Sequence, residues 1–454
     1  MIKKLAKFSV SVMLFACLNG SVVYAGSSAK VTDEDKKAAE EVSSAQENKD
    51  EKNEKAEVDT KEEGAKKEEL ADENKKSEEE GVTNVKSEEK SEETESEEKK
   101  QEESTENADN SDDNSSEEGA NSDNKATDNE LYKQELTRSS KKTIKDFEKF
   151  IKELSESKNE NSEVSEVEYN RGKTNELLIQ LSGEDKEKIH AVDDTIVVVE
   201  GSEYQVPVRY YQFGEQQSKD LMIFVHGGGW THGNLNTHDY LCRKLAKILE
   251  IDVVSVDYRL SPEHPYPVPL DDVLSVYKNY VSDAKYDRLL ICGDSAGANL
   301  CAALCARIYE SELKAPYAQI LLYPPLSNNF ENGSYKAFGT CVALSKEAIM
   351  KFFTNYAGKD CTDESLKSND KIFPLLRDDI TIYPEKTIII SAGYDSMLDE
   401  QIEFEKKLKD GDKNVLQVID NGAVHGYMSY GRYYDDLVTE NCEKIKAYIY
   451  GDSK

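Results

Sequence analysis

The segment LLICGDSAG at residues 289–297 decides how this chain folds. An apolar run ends in G-D-S-A-G, and apolar residues with helical spacing follow it as far as residue 308. A strand that turns directly into a helix through G-x-S-x-G exposes the hydroxyl of its serine. Glycine is required at 293 and 297 because side chains there would collide with the neighbouring strand or helix. The pattern predicts that Ser295 is a nucleophile that attacks carbonyl carbons.

Strands and helices alternate along residues 131–454, which predicts an α/β fold around one mostly parallel sheet. Several strands are continuous apolar runs, as expected when helices cover both faces of a sheet. The first two strands alternate more and predict an antiparallel edge. The predicted strands cover residues 195–199, 205–211, 221–225, 252–256, 288–292, 319–322, 387–391 and 415–419. Amphipathic helices are predicted at residues 144–154 and 175–181.

A second motif, H-G-G-G-W at residues 226–230, follows one of these predicted strands. Its glycines leave backbone N–H groups uncovered, and such donors stabilise the negative oxygen that develops when a carbonyl is attacked. We expect the N–H groups of Gly227, Gly228 and Ala296 to form this oxyanion hole. We expect His226 to be structural and to shape the loop.

Three motifs together resemble one known family. H-G-G-G-W, Y-R-L-S-P-E-H-P (residues 258–265) and G-D-S-A-G-A-N-L (residues 293–300) are similar, in this order and spacing, to the hormone-sensitive-lipase-like branch of the α/β-hydrolases. The resemblance extends from about residue 190 to the C-terminus. It implies an eight-stranded sheet with a helical cap, which we assign to N-terminal helices in residues 131–185 and an insertion at 327–371. It also implies esterase activity, usually on short acyl chains, without a cofactor; we expect no metal site.

In this family the acid and the base follow the serine in the chain order serine, acid, histidine. Of the six histidines, only His425 lies after Ser295, and it follows a predicted strand. Asp395 and Asp399 both follow the preceding strand, and we favour Asp395 because it leaves the strand end first, at the catalytic edge. The expected catalytic set is therefore Ser295, Asp395 and His425. We expect Asp294, beside the nucleophile, to be a local hydrogen-bonding or charge residue.

The N-terminal third of the chain has a different composition. Residues 31–130 contain 38 acidic and 15 basic residues and no Phe, Trp, Tyr or Pro, and their net charge of −23 is most of the chain's −33. Such a segment buries too little apolar surface to offset the entropy of ordering, so we expect residues 26–130 to be a disordered acidic tether. A specific binder of cations or basic partners is the alternative. Nucleic acid is excluded as a partner because its phosphates would be repelled.

The first 25 residues predict a secretory signal peptide. Three lysines precede the apolar run at residues 8–18, and small residues suited to cleavage end at Ala25. The run is too short for a membrane span. The sequence L-F-A-C ending at Cys17 loosely resembles a lipoprotein cleavage box, so lipidation is the alternative. Either way, we expect a secreted protein or one attached to the extracellular cell surface.

Three functions follow from these observations as alternatives. The first is a secreted or surface-tethered serine carboxylesterase acting on short acyl esters, for example acetyl groups on polysaccharides. The second is an amidase, lactonase or peptidase that uses the same three residues, because the sequence does not define the leaving-group pocket. The third is a non-catalytic surface protein that binds through the acidic segment. The intact set of Ser295, Asp395 and His425 argues against the third.

Overall fold

The structure is a computed structural model that describes residues 130–157, 159–160, 163–183, 188–199 and 201–451. The predicted signal peptide, the possible lipidation site at Cys17 and the acidic segment up to residue 129 lie outside the described residues. Within the described part of the chain, no helix is both long and apolar enough to cross a bilayer.

Eight strands form a single sheet. They are β1 (Ala191–Val198), β2 (Gln205–Gln212), β3 (Asp220–Val225), β4 (Asp252–Val256), β5 (Arg288–Asp294), β6 (Ala318–Leu322), β7 (Lys386–Tyr394) and β8 (Asn414–Val424). Their order in the sheet is β1-β2-β4-β3-β5-β6-β7-β8. β2 is antiparallel to both β1 and β4, and all other neighbouring strands are parallel. The predicted α/β class, the eight strands and the antiparallel edge are confirmed.

The described residues also form nine α-helices. They are α1 (Arg138–Glu156), α2 (Glu166–Ser182), α3 (Asp239–Leu249), α4 (Val268–Val281), α5 (Ala296–Glu310), α6 (Gly333–Phe338), α7 (Lys346–Ala357), α8 (Leu398–Asp410) and α9 (Gly431–Tyr450). The helices predicted at 144–154 and 175–181 are confirmed within α1 and α2. A capping box extends α2 at its start, where the Ser165 and Glu168 side chains each accept from the other residue's N–H.

The central strands are buried on both faces because helices cover the sheet from both sides. In β3, Leu221, Ile223 and Val225 pack into one apolar cluster with residues of α4 and α5. The alternate residues Met222 and Phe224 pack into a second cluster with residues of α3 and α9. This explains why the strand reads as a continuous apolar run in the sequence.

The last two strands are longer than the sequence predicted. β7 extends past residue 391 to Tyr394, and β8 extends past residue 419 to Val424. The apolar pattern ends earlier because Gly393 and the segment D-N-G at residues 420–422 interrupt it. As a result, Asp395 and His425 are each the first residue after a strand, at the same edge of the sheet.

Candidate active site

Ser295 occupies the sharp turn between β5 and α5. Its backbone has φ 52° and ψ −122°, in a region that residues with a Cβ rarely adopt. Its N–H donates to the carbonyl oxygen of Leu322 at 2.8 Å, so the end of β6 supports the turn. A Cβ on Gly297 would lie only 1.9 Å from the carbonyl oxygen of Val225. The close approach of α5 to β3 therefore requires glycine at this position, as the sequence predicted.

The structure brings Ser295, His425 and Asp395 together from three separate strand ends. His425 Nε2 lies 2.7 Å from Ser295 Oγ, and His425 Nδ1 lies 2.7 Å from Asp395 Oδ2. The other carboxylate oxygen of Asp395 accepts from the N–H of Met397 at 3.1 Å. This is the geometry in which an imidazole can take the hydroxyl proton while a buried carboxylate fixes its tautomer.

Asp399, the alternative acid, has other partners. Its carboxylate accepts from the Tyr132 hydroxyl at 2.9 Å and from the N–H of Ser334 at 3.0 Å. These contacts join the start of α8 to α6 and to the segment before α1. Asp395, and not Asp399, is therefore the carboxylate paired with His425.

The prediction that Gly227 provides an oxyanion donor was wrong. Its N–H donates to Asp294 Oδ1 at 2.7 Å, in a fully buried contact. A hydrogen that is already donated to a buried carboxylate is not available to stabilise an oxyanion. The motif alone did not reveal this contact, because three consecutive glycines offer three N–H groups and only their surroundings distinguish them.

The other two glycines of the loop, unlike Gly227, line a cavity. Gly228 and Gly229 line the same cavity as Ser295 and Ala296. Within the described residues, the N–H groups of Gly228, Gly229 and Ala296 have no backbone acceptor. A Cβ on Gly229 would lie 2.5 Å from the ring of Phe352, and φ is 58° there, so only glycine fits beneath α7. These three N–H groups are the ones that can form an oxyanion hole.

Asp294 connects the glycine loop to the nucleophile turn. Besides the N–H of Gly227, its Oδ1 lies 3.1 Å from Nε2 of His238, which is also buried. Burial raises the pKa of Asp294, but the His238 imidazole and the Gly227 N–H outweigh it and hold that pKa below its usual value. Asp294 is thus a hydrogen-bonding residue, as expected. Sequence reasoning missed His238 because it precedes α3, on a different connection of the fold.

His226 is buried within the same loop. Its Nδ1 donates to the carbonyl oxygen of Gly227 at 2.7 Å, and its ring stacks on Tyr258 with centroids 4.3 Å apart. Burial lowers the pKa of His226 to about 3, so its side chain is neutral at ordinary pH. These contacts fit the structural role that the sequence analysis gave to His226.

A cavity of about 120 Å³ opens onto Ser295. Its walls are largely apolar and come from α1 (Phe147, Phe150 and Leu154) and α7 (Phe352 and Phe353). For comparison, an apolar protein cavity of about 150 Å³ holds one benzene molecule. The cavity therefore accommodates a small acyl group next to the nucleophile.

The segment that leads into α1 is attached next to His425. The carbonyl oxygen of Gly422 accepts from the N–H of Thr137 at 3.2 Å and from Ser140 Oγ at 2.6 Å. The N–H of Gly422 donates to Gln134 Oε1 at 2.8 Å. The helix that covers the cavity is thus fixed to the end of β8, directly before the imidazole.

The described residues contain no group of three or more His, Cys, Asp or Glu side chains that could hold a metal ion. The chemistry that the site offers is nucleophilic attack by an activated serine, with a histidine base and backbone donors for the developing charge.

Comparisons with known proteins show that the chain is similar to α/β-hydrolases. Residues 222–429 match the family described as alpha/beta hydrolase fold. The chain is 34% identical over 254 residues to the carboxylic ester hydrolase LipN of Mycobacterium tuberculosis, covering 53% of this chain and 66% of LipN. It is 31% identical over 232 residues to an esterase of Acinetobacter venetianus, covering 50% of this chain and 75% of that protein.

The fold is also similar to solved structures. The ester-hydrolase EH1AB1 from the metagenome of Lake Arreo matches with a TM-score of 0.61 and 26% identity, covering 69% of this chain and 98% of that chain. The part of the chain without a counterpart in this structure is about the length of the N-terminal segment that precedes the described residues.

Proposed function

This chain belongs to the hormone-sensitive-lipase-like group of the alpha/beta hydrolase fold family, and from that premise we propose that it is a serine carboxylesterase. One observation carries the proposal. His425 contacts both Ser295 and Asp395 at 2.7 Å, and Ser295 lines a cavity whose volume suits a small acyl group. The family match and two relatives named as ester hydrolases support an enzyme that hydrolyses esters.

The reaction begins when Ser295 Oγ attacks the ester carbonyl carbon and His425 Nε2 takes the hydroxyl proton. Asp395 holds the imidazole in the required tautomer and stabilises its positive form. The carbonyl oxygen becomes an oxyanion, which the N–H groups of Gly228, Gly229 and Ala296 stabilise. The loss of one such donor typically costs on the order of a hundredfold or more in rate.

The tetrahedral intermediate collapses when the carbon–oxygen bond to the alcohol breaks and His425 donates its proton to the leaving alcohol. The acyl group is then bonded to Ser295. Water enters, gives a proton to His425 and attacks the acyl carbon. A second collapse releases the carboxylic acid and returns the proton to Ser295 Oγ.

We propose short-chain acyl esters as the substrates. The support is the cavity volume of about 120 Å³ and the aromatic side chains that line it, which match a small acyl group beside Ser295. We also propose that the enzyme is secreted or tethered to the cell surface. The support for this is the N-terminal sequence alone, in which a basic and apolar leader precedes an acidic segment.

The test is turnover of p-nitrophenyl acetate, butyrate and dodecanoate by the wild type and by Ser295→Ala. We expect kcat/KM to be highest for the two short esters and to fall by at least about 10⁴-fold in Ser295→Ala. Ser282→Ala is the matched control, since its hydroxyl bonds only to carbonyls of its own helix. Equal rates in wild type and Ser295→Ala would refute the catalytic assignment, and a preference for dodecanoate would refute the chain-length proposal.

A further inference from the structure

A buried carboxyl group lies close to the catalytic acid and takes no part in the proton relay. Glu400, near the start of α8, is 1% exposed. Its Oε1 accepts from the N–H of Leu326 at 2.8 Å. Its Oε2 has no hydrogen-bond partner, and it forms no salt bridge within the described residues. Within the described residues, the carboxyl group is therefore held by backbone N–H groups at residues 326–327 and has no counter-charge.

The surroundings of Glu400 are acidic. Asp395 and Asp399 lie on the same turn, and the buried hydroxyl of Tyr335 approaches from α6. Burial raises the pKa of Glu400 well above its usual value; the N–H groups of residues 326–327 lower it, and the two aspartates raise it. The net effect favours the neutral carboxylic acid, because an unpaired negative charge in the interior is costly.

The contact from Glu400 reaches the wall of the catalytic cavity. Leu326 follows Pro325, which lines the cavity together with Ser295. The carbonyl oxygen of Leu326 accepts from the N–H of Leu375 at 3.0 Å. The peptide of Leu326 is therefore held on both sides, and its N–H depends on Glu400.

A second buried side chain holds the same wall from the nucleophile side. Asn299, which is fully buried on α5, donates to the carbonyl oxygens of Pro325 at 2.8 Å and Ile372 at 2.9 Å. The N–H of Asn299 donates to the carbonyl oxygen of Ser295 at 3.1 Å. Asn299 thus links this wall to the serine turn. Glu400 links it to α8, the helix that follows Asp395.

We propose that Glu400 is a positioning residue, whose hydrogen bond from the N–H of Leu326 fixes the cavity wall at Pro325 relative to Asp395. The proposal rests on the function proposed above. The neutral acid accepts the N–H of Leu326 without adding a second negative charge next to Asp395. An added charge there would increase the proton affinity of His425 and weaken its release of the proton to the leaving alcohol.

The kinetic test compares Glu400→Gln with Glu400→Leu on p-nitrophenyl acetate and butyrate. Glutamine keeps the shape, the acceptor and the neutral charge, so we expect kcat/KM within about twofold of wild type. Leucine leaves the buried N–H of Leu326 unpaired, so we expect at least about a tenfold loss and a changed ratio of acetate to butyrate turnover. Glu403→Leu is the matched control, because Glu403 is exposed on the same helix.

Two kinetic results would overturn the proposal. If Glu400→Leu retained wild-type rates and the wild-type ratio of the two esters, Glu400 would not position the wall. If Glu400→Gln at pH 7 were as impaired as Glu400→Leu, the residue would act as an anion. If the esterase proposal itself were wrong, the wild type would not hydrolyse these esters, and this result is distinct from both outcomes above.

A stability measurement keeps the proposal testable even if Glu400→Leu does not fold. The pKa of Glu400 is higher in the folded state than its ordinary value of 4.5. The stability that the neutral acid contributes is therefore complete below about pH 4.5 and is lost as the pH rises towards the folded-state pKa. The melting temperature of wild type should fall relative to Glu400→Gln between pH 5 and pH 9. A constant difference over this range would contradict a neutral Glu400.

Discussion

The serine turn and the glycine loop lie at the ends of the neighbouring strands β5 and β3, and both require glycine for steric reasons. In the serine turn, a Cβ at Gly297 would collide with the backbone of β3. The glycine loop, where a Cβ at Gly229 would collide with Phe352, depends in addition on buried polar contacts that Asp294 makes with Gly227 and His238. A steric requirement appears in the local sequence as glycine. A polar contact between distant residues leaves no comparable mark.

Among changes that leave the catalytic side chains intact, the largest effect is expected from adding one methyl group to the serine turn. In Gly297→Ala, Cβ would meet backbone atoms that cannot rotate away, so α5 must shift relative to Ser295. We expect kcat/KM on p-nitrophenyl acetate to fall more than about a hundredfold, with a lower melting temperature. Gly172→Ala is the matched control, because a Cβ there has nothing within 4 Å. Wild-type activity in Gly297→Ala would show that the turn is not sterically determined.

A smaller effect is expected from removing the polar support of the loop. Asp294→Ala leaves the N–H of Gly227 and Nε2 of His238 without their buried acceptor. We expect kcat to fall about tenfold to a hundredfold with little change in KM, because the oxyanion donors lose their alignment. Asp294→Asn keeps an oxygen acceptor for Gly227 and should recover part of the rate. If both variants were equally impaired, the charge of Asp294 and not this hydrogen bond would support the loop.

The stability contributed by the glycine loop should also decrease in acid, because the loop contains the buried His226. The pKa of His226 is lowered to about 3 from its ordinary 6.5, so its contribution to stability is complete above about pH 6.5 and is lost as the pH falls. We expect the melting temperature of wild type to fall by several degrees more than that of His226→Asn between pH 7 and pH 4. His232, whose pKa burial also lowers to about 3, remains in both proteins. Parallel curves would exclude His226 as a source of the acid sensitivity.

The smallest effect is expected from a change outside both regions. Deletion of residues 26–130 should leave kcat and KM on soluble p-nitrophenyl esters within about twofold of wild type, because the residues that form both regions lie after residue 220. Kinetics of the full chain and the deletion variant at several salt concentrations check this. A large change in KM would mean that the acidic segment contributes to substrate binding.

The sequence predicted the features that follow from periodic apolar residues or from residues adjacent in the chain. The eight strands follow from apolar periodicity, and Ser295 follows from the glycines around it. The ends of β7 and β8 were missed because backbone pairing continues through Gly393 and residues 420–422, where the apolar pattern stops. The assignment of Gly227 as a donor failed because Asp294, which accepts its N–H, is the last residue of another strand, β5, far away in the sequence.

The attachment of α1 to Gly422 links one wall of the cavity to the catalytic base. Thr137 and Ser140 donate to the carbonyl oxygen of Gly422, which lies three residues before His425. A substitution that loosens the start of α1 therefore also removes hydrogen bonds from the strand end that carries the imidazole. Changes in the wall of the cavity and changes in the placement of the base are coupled through this one carbonyl group.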